Sequence, residues 1–336
     1  MSLSKDFSCG SDKALAAIFS LSGTVLTDVE RSIFQQANPF GFILFKRNCD
    51  NPEQLKALIN DLKDLVGRDC PVLIDQEGGR VQRLRPPHWR DFPTMKHFGD
   101  LYEQDKQKAL EELRFETLRL AEELVDIGVN VNCAPVLDLM FDGAHDIIGD
   151  RAFSSDPKIV ARLGLSVCRH YLSAGITPII KHIPGHGRAF ADSHLELPYV
   201  DAAYEELSTL DFAPFKALSQ SDVGHAVWAM TAHILYKEID GDLPVSVSEQ
   251  AVQETIRQDI GFDGILIGDD LDMKALDSYG SAAEKAMKSL GAGCDLALYC
   301  AGEAEKMDEL AENLPILSDK TLDRLKNAVF SSEERV

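Results

Sequence analysis

Eight short apolar segments rich in β-branched residues recur along the chain, at 16–21, 40–45, 71–74, 129–137, 177–182, 226–231, 264–268 and 295–299. Helix-patterned stretches separate most of them, at 52–66, 103–127, 157–174, 203–219, 248–260 and 282–290. Strands that alternate with helices pair in parallel through right-handed crossovers. Eight such units in about 300 residues predict a closed (β/α)8 barrel, a fold that needs chains of roughly this length. A doubly wound open sheet is the competing architecture. The phosphate-cradling loops of nucleotide-binding open sheets, GxGxxG and GxxxxGK[ST], are missing from the sequence. No Pro/Gly/Ser-rich linker divides the chain, so residues 1–336 read as a single barrel domain. The charged stretch 303–336 is helical in pattern and is expected to pack on the outside of the barrel.

The net charge of −21 argues against nucleic acid, whose phosphates this field would repel. No run of 18 apolar residues occurs, so no membrane-spanning helix is expected. The first residues lack a basic leader followed by an apolar run. Seven widely spaced cysteines without a CxxC read as reduced, small apolar side chains, and the cytoplasm is the expected location.

In a barrel of this kind the carboxyl ends of the strands meet at one mouth, where chemistry is done. Here those ends are polar. The third strand runs into Asp75-Gln76-Glu77-Gly78-Gly79-Arg80, with Arg83 just beyond; the fourth into Asp138; the sixth reaches His233. The fifth runs into Lys181-His182-Ile183-Pro184-Gly185-His186-Gly187, followed by Asp192-Ser193-His194. The seventh ends in Asp269-Asp270-Leu271-Asp272-Met273.

Each of these residues has an ordinary structural reading beside the chemical one. One of Asp269 and Asp270 is expected to cap the following turn, leaving the other to face the mouth as nucleophile or metal ligand. His186, between two glycines, serves either the loop or the site. His182, His186 and His194 with Asp192 are a possible metal set, although no recognised metal-ligand spacing is present. Asp192 and His194 stand two apart, so in an extended loop they point the same way, and a carboxylate beside an imidazole makes a general acid/base for neutral pH. Arg83 and Arg151 are either surface ion-pair partners or clamps on a ligand's polar groups.

Taken in order, the segments 74–84, 132–138, 148–154, 181–194 and 269–273 resemble glycoside hydrolase family 3. Within that family they are most similar to the bacterial cytoplasmic β-N-acetylglucosaminidases of cell-wall recycling. The resemblance implies a retaining β-N-acetylhexosaminidase that removes terminal N-acetylglucosamine from muropeptide or peptidoglycan fragments, with no cofactor and no metal. It implies that Asp269 is the nucleophile, that His194 is the acid/base oriented by Asp192, and that Asp75, Arg83, Arg151, Lys181, His182 and His186 hold the sugar. Two departures stand out: Ile183 where Phe is usual, and Arg188-Ala189-Phe190-Ala191 where relatives often carry Asp-Thr and a variable pair. A phosphorylase of the same family and a metal-dependent barrel hydrolase using His182, His186 and Asp269 are the alternatives. A non-catalytic sugar-binding protein on the same scaffold is a third, and would be favoured by loss of the nucleophile or the acid.

Overall fold

The computed structural model describes residues 5–141, 143, 146–189 and 197–330. Eight parallel strands make one sheet: β1 (Leu15–Phe19), β2 (Pro39–Leu44), β3 (Val72–Ile74), β4 (Val131–Asn132), β5 (Thr177–Ile183), β6 (Trp228–Thr231), β7 (Leu266–Ile267) and β8 (Ala297–Tyr299). Their order is β7-β6-β5-β4-β3-β2-β1-β8. A parallel bridge between Ile267 and Leu296 joins the two ends. The Asp295 N–H donates to the Leu266 carbonyl at 2.7 Å and the Gly268 N–H to the Leu296 carbonyl at 3.1 Å. The sheet therefore closes into the (β/α)8 barrel that the alternating pattern predicts.

All eight expected strands are present and most are shorter. The largest shortfall is at 129–137, where Pro135 has no N–H to give the ladder. Pairing with β5 stops at Asn132 and resumes in a bridge between Val136 and Lys181. Strands covered on both faces are mostly apolar: in β1, β2 and β5 only Thr177, Lys181 and His182 are polar, and every residue is buried. Alternation divides them between two cores. On β6, Trp228 and Met230 fill the barrel interior while Ala229 faces the helices. On β5, Ile179 points in and Ile180 out, which sends Lys181 into the barrel at its mouth.

The outer ring holds α1 (Asp28–Ala37), α2 (Pro52–Val66), α3 (Met95–Gln104), α4 (Lys106–Ile127), α5 (Pro157–Ser173), α6 (Tyr204–Thr209), α7 (Ala213–Ser219), a π-helix (Ala251–Asp259), α8 (Ala282–Ala292) and α9 (Ala304–Asn313), with α10 (Asp319–Asn327) last in the chain. The single helix expected at 103–127 is two, because Asp105 adopts an extended conformation and its carboxylate caps α4 through the Lys108 N–H. The stretch 203–219 is also divided. Pro214 opens α7 at a position that tolerates the missing N–H, and the residues before it leave the helix. Helix α1 carries a capping box between Thr27 and Glu30, a signal present in the sequence that the strand-and-helix pattern alone passes over.

Helix α9 packs outside the barrel as expected for 303–336, and the chain after it departs from that expectation. Residues 314–317 cross below β1: the Ala16 N–H donates to the Pro315 carbonyl and the Leu317 N–H to the Ala14 carbonyl, each at 2.9 Å. Leu317 and Leu325 then join the interior cluster together with Phe7. Phe7 meets Trp228 edge-to-face at 5.6 Å between ring centres. The reason is the open lower end of the barrel, whose apolar interior would otherwise be wet.

Phe7 is 4% exposed. Its replacement by alanine should cost about 3 kcal/mol, the usual penalty for a large-to-small change at a buried aromatic. Urea unfolding of Phe7→Ala measures this, and a loss below about 1 kcal/mol would mean that Phe7 does not close the barrel.

Candidate active site

The loops after β3, β4, β5 and β7 surround a cavity of about 300 Å³ at the carboxyl ends of the strands. Met230, Leu298 and Cys300 contribute apolar wall, and Phe45 an aromatic one. Asp75, Glu77, Arg83, Arg151, Lys181, His182, His186 and Asp269 supply the polar groups. The structure thus brings seven of the nine expected site residues to one place. Asp192 and His194 lie outside the described residues.

Lys181 is the centre of a chain of alternating charges. Its Nζ lies 2.8 Å from Asp75 Oδ1 and 2.6 Å from Glu77 Oε1. Arg83 Nη2 donates to Asp75 Oδ2 at 2.8 Å. Arg151 closes the other end with a two-point contact on Glu77, Nη2 to Oε1 at 2.8 Å and Nε to Oε2 at 2.9 Å. Burial alone would push both carboxyls up. The Lys181 and Arg83 charges overcome it for Asp75, and Arg151 with Lys181 lowers Glu77 to about 2. The same acids outweigh burial at Lys181 and keep it firmly protonated. Removing one member of a buried pair leaves an uncompensated charge, typically at 3–5 kcal/mol.

Glu77 was not among the expected site residues. The signal was available: Asp75 and Glu77 are two apart at a strand end and so share a face. The backbone there is tightly fitted. Gly78 has φ +105°, and a Cβ on it would stand 2.2 Å from the Pro93 carbonyl oxygen.

Asp138 organises the histidines from beneath. It is fully buried, and its Oδ2 lies 2.7 Å from His182 Nδ1. Its Oδ1 accepts the backbone N–H groups of His182 at 3.1 Å and of His186 at 2.7 Å. Burial opposes ionisation of Asp138, but the His182 contacts hold its carboxyl below the ordinary range. Contact through Nδ1 orients the His182 ring. The His186 ring packs edge-on against His182 at 5.5 Å. Burial first, and His182 second, push its pKa down to about 4, with Asp138 opposing. At neutral pH His186 is an uncharged ring. The turn is close-fitting: a Cβ on Gly187 would stand 2.0 Å from the Leu139 carbonyl oxygen.

The adjacent acids after β7 divide their work. Asp270 Oδ1 accepts the N–H groups of Cys300 at 3.0 Å and Asp272 at 3.2 Å, tying the β7 loop to the end of β8. Burial, with Asp269 beside it, raises Asp270 to about 6. Asp269 lines the cavity and accepts the Asp270 N–H at 2.8 Å. Burial would raise it too, but His233, His182, that N–H and Lys181 together keep it below the ordinary carboxylate range. The capping reading therefore falls to Asp270, and Asp269 is an ionised carboxylate facing the space where a ligand fits. His233, placed by Asp270 O at 2.9 Å and Ser246 Oγ at 2.6 Å, is a further contributor that the strand-end pattern displayed without assigning.

Among the described residues, no group of three or more His, Cys, Asp or Glu side chains is placed to hold a metal ion, and His182, His186 and Asp269 do not form one. No helix among them is long and apolar enough to cross a membrane.

Comparison with known proteins gives the family and agrees with the barrel fold. The family model described as "Glycosyl hydrolase family 3 N terminal domain" matches residues 18–331. The chain is 37% identical over 296 residues to a beta-hexosaminidase of Thiobacillus denitrificans, covering 88% of this chain and 80% of the relative. It is 37% identical over 298 residues to a beta-hexosaminidase of Neisseria meningitidis, covering 88% and 81%. Among solved structures, NagZ from Neisseria gonorrhoeae in complex with N-trifluoroacetyl-D-glucosamine superposes with a TM-score of 0.86 at 33% identity, covering 95% of this chain and 91% of that one.

The depressed His186 makes stability pH-dependent. Unfolded, this group titrates near its model value of 6.5; folded, near 4. Between those values the unfolded chain binds more protons, so stability present above pH 6.5 is lost as the pH falls toward 4. In His186→Gln this part of the acid loss, up to about 3 kcal/mol, should disappear. Urea unfolding of both proteins from pH 7 down to 4.5 tests it, and parallel stability curves would contradict a buried neutral imidazole.

Proposed function

The chain belongs to glycosyl hydrolase family 3, and on that premise we propose that it is a retaining β-N-acetylhexosaminidase that releases terminal β-linked N-acetylglucosamine. The observation that carries this reading is the Asp269 carboxylate, buried in the wall of a sugar-sized cavity and kept ionised by its neighbours. An ionised carboxylate at that point is ready to attack an anomeric carbon and form a glycosyl-enzyme.

In this reading His194, oriented by Asp192, protonates the leaving oxygen and then activates water for the second step. Retaining enzymes more often use a second carboxyl for that role, roughly 5 Å from the first. Two carboxylates so close raise one another's pKa; an imidazole avoids the repulsion and leaves Asp269 charged. The sugar hydroxyls are held by Asp75, Lys181, Arg83, Arg151 and His182, with His186 as a further contact. Their mutual ion pairs fix these groups before substrate arrives, which lowers the ordering cost of binding. A site built to hydrogen-bond each hydroxyl rejects analogues that lack one. The natural substrates are proposed to be N-acetylglucosamine-terminated muropeptide or peptidoglycan fragments, processed in the cytoplasm. All seven cysteines are free thiols, which suits a reducing compartment.

Turnover of an aryl β-N-acetylglucosaminide should exceed that of the matching aryl β-glucoside by at least tenfold, on the order of what one lost set of amide contacts costs. The rate should be independent of added phosphate. A rate that rises with phosphate and yields the sugar 1-phosphate would make the protein a phosphorylase.

Asp269→Ala should abolish turnover of activated and unactivated aryl glycosides alike. His194→Ala should lose roughly a hundredfold or more on poor leaving groups and far less on activated ones, since only the former need the proton. Steady-state kinetics on a series of aryl leaving groups distinguishes the two patterns, and an equal loss across the series would remove His194 from the acid role.

A further inference from the structure

The outer ring holds a second concave region, a groove of about 660 Å³ between α4 and α5 that shares no lining residue with the catalytic cavity. Its charge runs against that of the chain. The sequence has 55 acidic residues against 34 Lys and Arg, yet α5 carries Lys158, Arg162, Arg169 and His170 without one Asp or Glu. Helical spacing puts Arg162, Ser166, Arg169 and His170 on one side of α5, where they line the groove. Arg114 lines it from α4, with Lys106 about two turns earlier.

These cations are poorly matched. Among the described residues, the guanidinium groups of Arg114 and Arg162 have neither an ion-pair nor a hydrogen-bond partner. The acids nearest Arg114 along α4 are engaged elsewhere. Glu112 Oε1 lies 2.7 Å from His97 Nε2, Glu116 accepts from Arg119 at 2.9 Å, and Glu111 accepts from Gln107 at 2.9 Å. Arg169 meets Asp222 at 2.7 Å. Glu111 and Asp222 therefore offset two of the four lining cations, and two positive charges remain unmatched. Burial first, and the Arg114 and Arg169 charges after it, hold the His170 imidazole below its ordinary value. That ring is half-buried, and no hydrogen-bond partner among the described residues holds it.

Two unpaired guanidinium forks match the oxygens of a phosphate, and the excess of two charges matches a dianion. Tyr102 and Leu110 add an apolar wall. The net charge of −21 repels a polyanionic macromolecule at long range and a compact dianion far less. We propose that the α4–α5 groove is a binding site for a phosphate dianion, free or as the head of a small ester, held by Arg114 and Arg162 with Ser166 and His170 as further contacts. The groove is separate from the hydrolytic site, so its occupancy does not rest on the assignment of Asp269.

Isothermal titration calorimetry of the full chain with inorganic phosphate and with phenyl phosphate is the test. One equivalent is expected to bind, with a Kd of about 1 mM or lower at low salt. Arg114→Gln combined with Arg162→Gln is expected to weaken both ligands at least about tenfold. Ser166→Glu, which adds a carboxylate to the groove, is expected to do the same by repulsion. Turnover of an aryl β-N-acetylglucosaminide should be unchanged in these variants, which also shows that they fold. Tighter binding of phenyl phosphate, through Tyr102 and Leu110, would support the site and identify an ester as its ligand; equal affinities would support it with free phosphate. No measurable binding would overturn the site. So would binding that the groove variants leave intact and that competes with the aryl glycoside, which would place the anion among Arg83, Arg151 and Lys181 instead.

Discussion

A lysine ammonium buried between two carboxylates is the interaction on which the mouth of this barrel depends. Lys181 reaches the interior because strand alternation points it there, and nothing apolar at that position would reconcile Asp75 with Glu77. Two buried carboxylates facing an apolar wall would each be driven to take up a proton. With Lys181 between them, and Arg83 and Arg151 at the flanks, all five groups stay charged. The chain of pairs also ties β3 to β5 and to the turn that carries Arg151. The site is therefore shaped by its own electrostatics before any ligand enters.

The chemistry follows from how the neighbouring acids are treated differently. Asp270 is met by backbone N–H groups, carries the burden of burial and fastens one loop to the next. Asp269 faces the cavity and stays ionised because positive and polar groups gather around it. Asp138 plays the corresponding part under the histidines, spending its oxygens on one ring and two backbone amides. The nucleophile proposed here has to be both dry and charged, two conditions that normally exclude each other. Here the supporting residues make them compatible.

Much of this was legible in the sequence. The eight apolar segments predicted the closed barrel, and the strand-end polar residues predicted which side chains would converge. Asp75, Arg83, Arg151, Lys181, His182, His186 and Asp269 all line one cavity. The residues alone gave the division between Asp269 and Asp270 in kind, and only the resemblance assigned Asp269 to the cavity. Which acid takes which part depends on whether the end of β8 offers an N–H to the second carboxylate, a tertiary contact that no local pattern encodes. Glu77 and Asp138 escaped assignment for a similar reason. Each acts by meeting charged or polar groups from distant segments, 74 residues away for Arg151 and 44 for His182. The part of the C-terminal stretch beyond α9 was misplaced because its helical pattern shows an apolar face without showing what that face covers. Its role as part of the lower plug appears only once the barrel is closed.

The most direct test of the central claim is to trap the glycosyl-enzyme with a slowly turned-over 5-fluoro-N-acetylglucosaminyl fluoride and map the labelled peptide by mass spectrometry. The account predicts one sugar per chain, attached to Asp269 in the segment that follows β7. A label on Asp270 or on any other residue would contradict it.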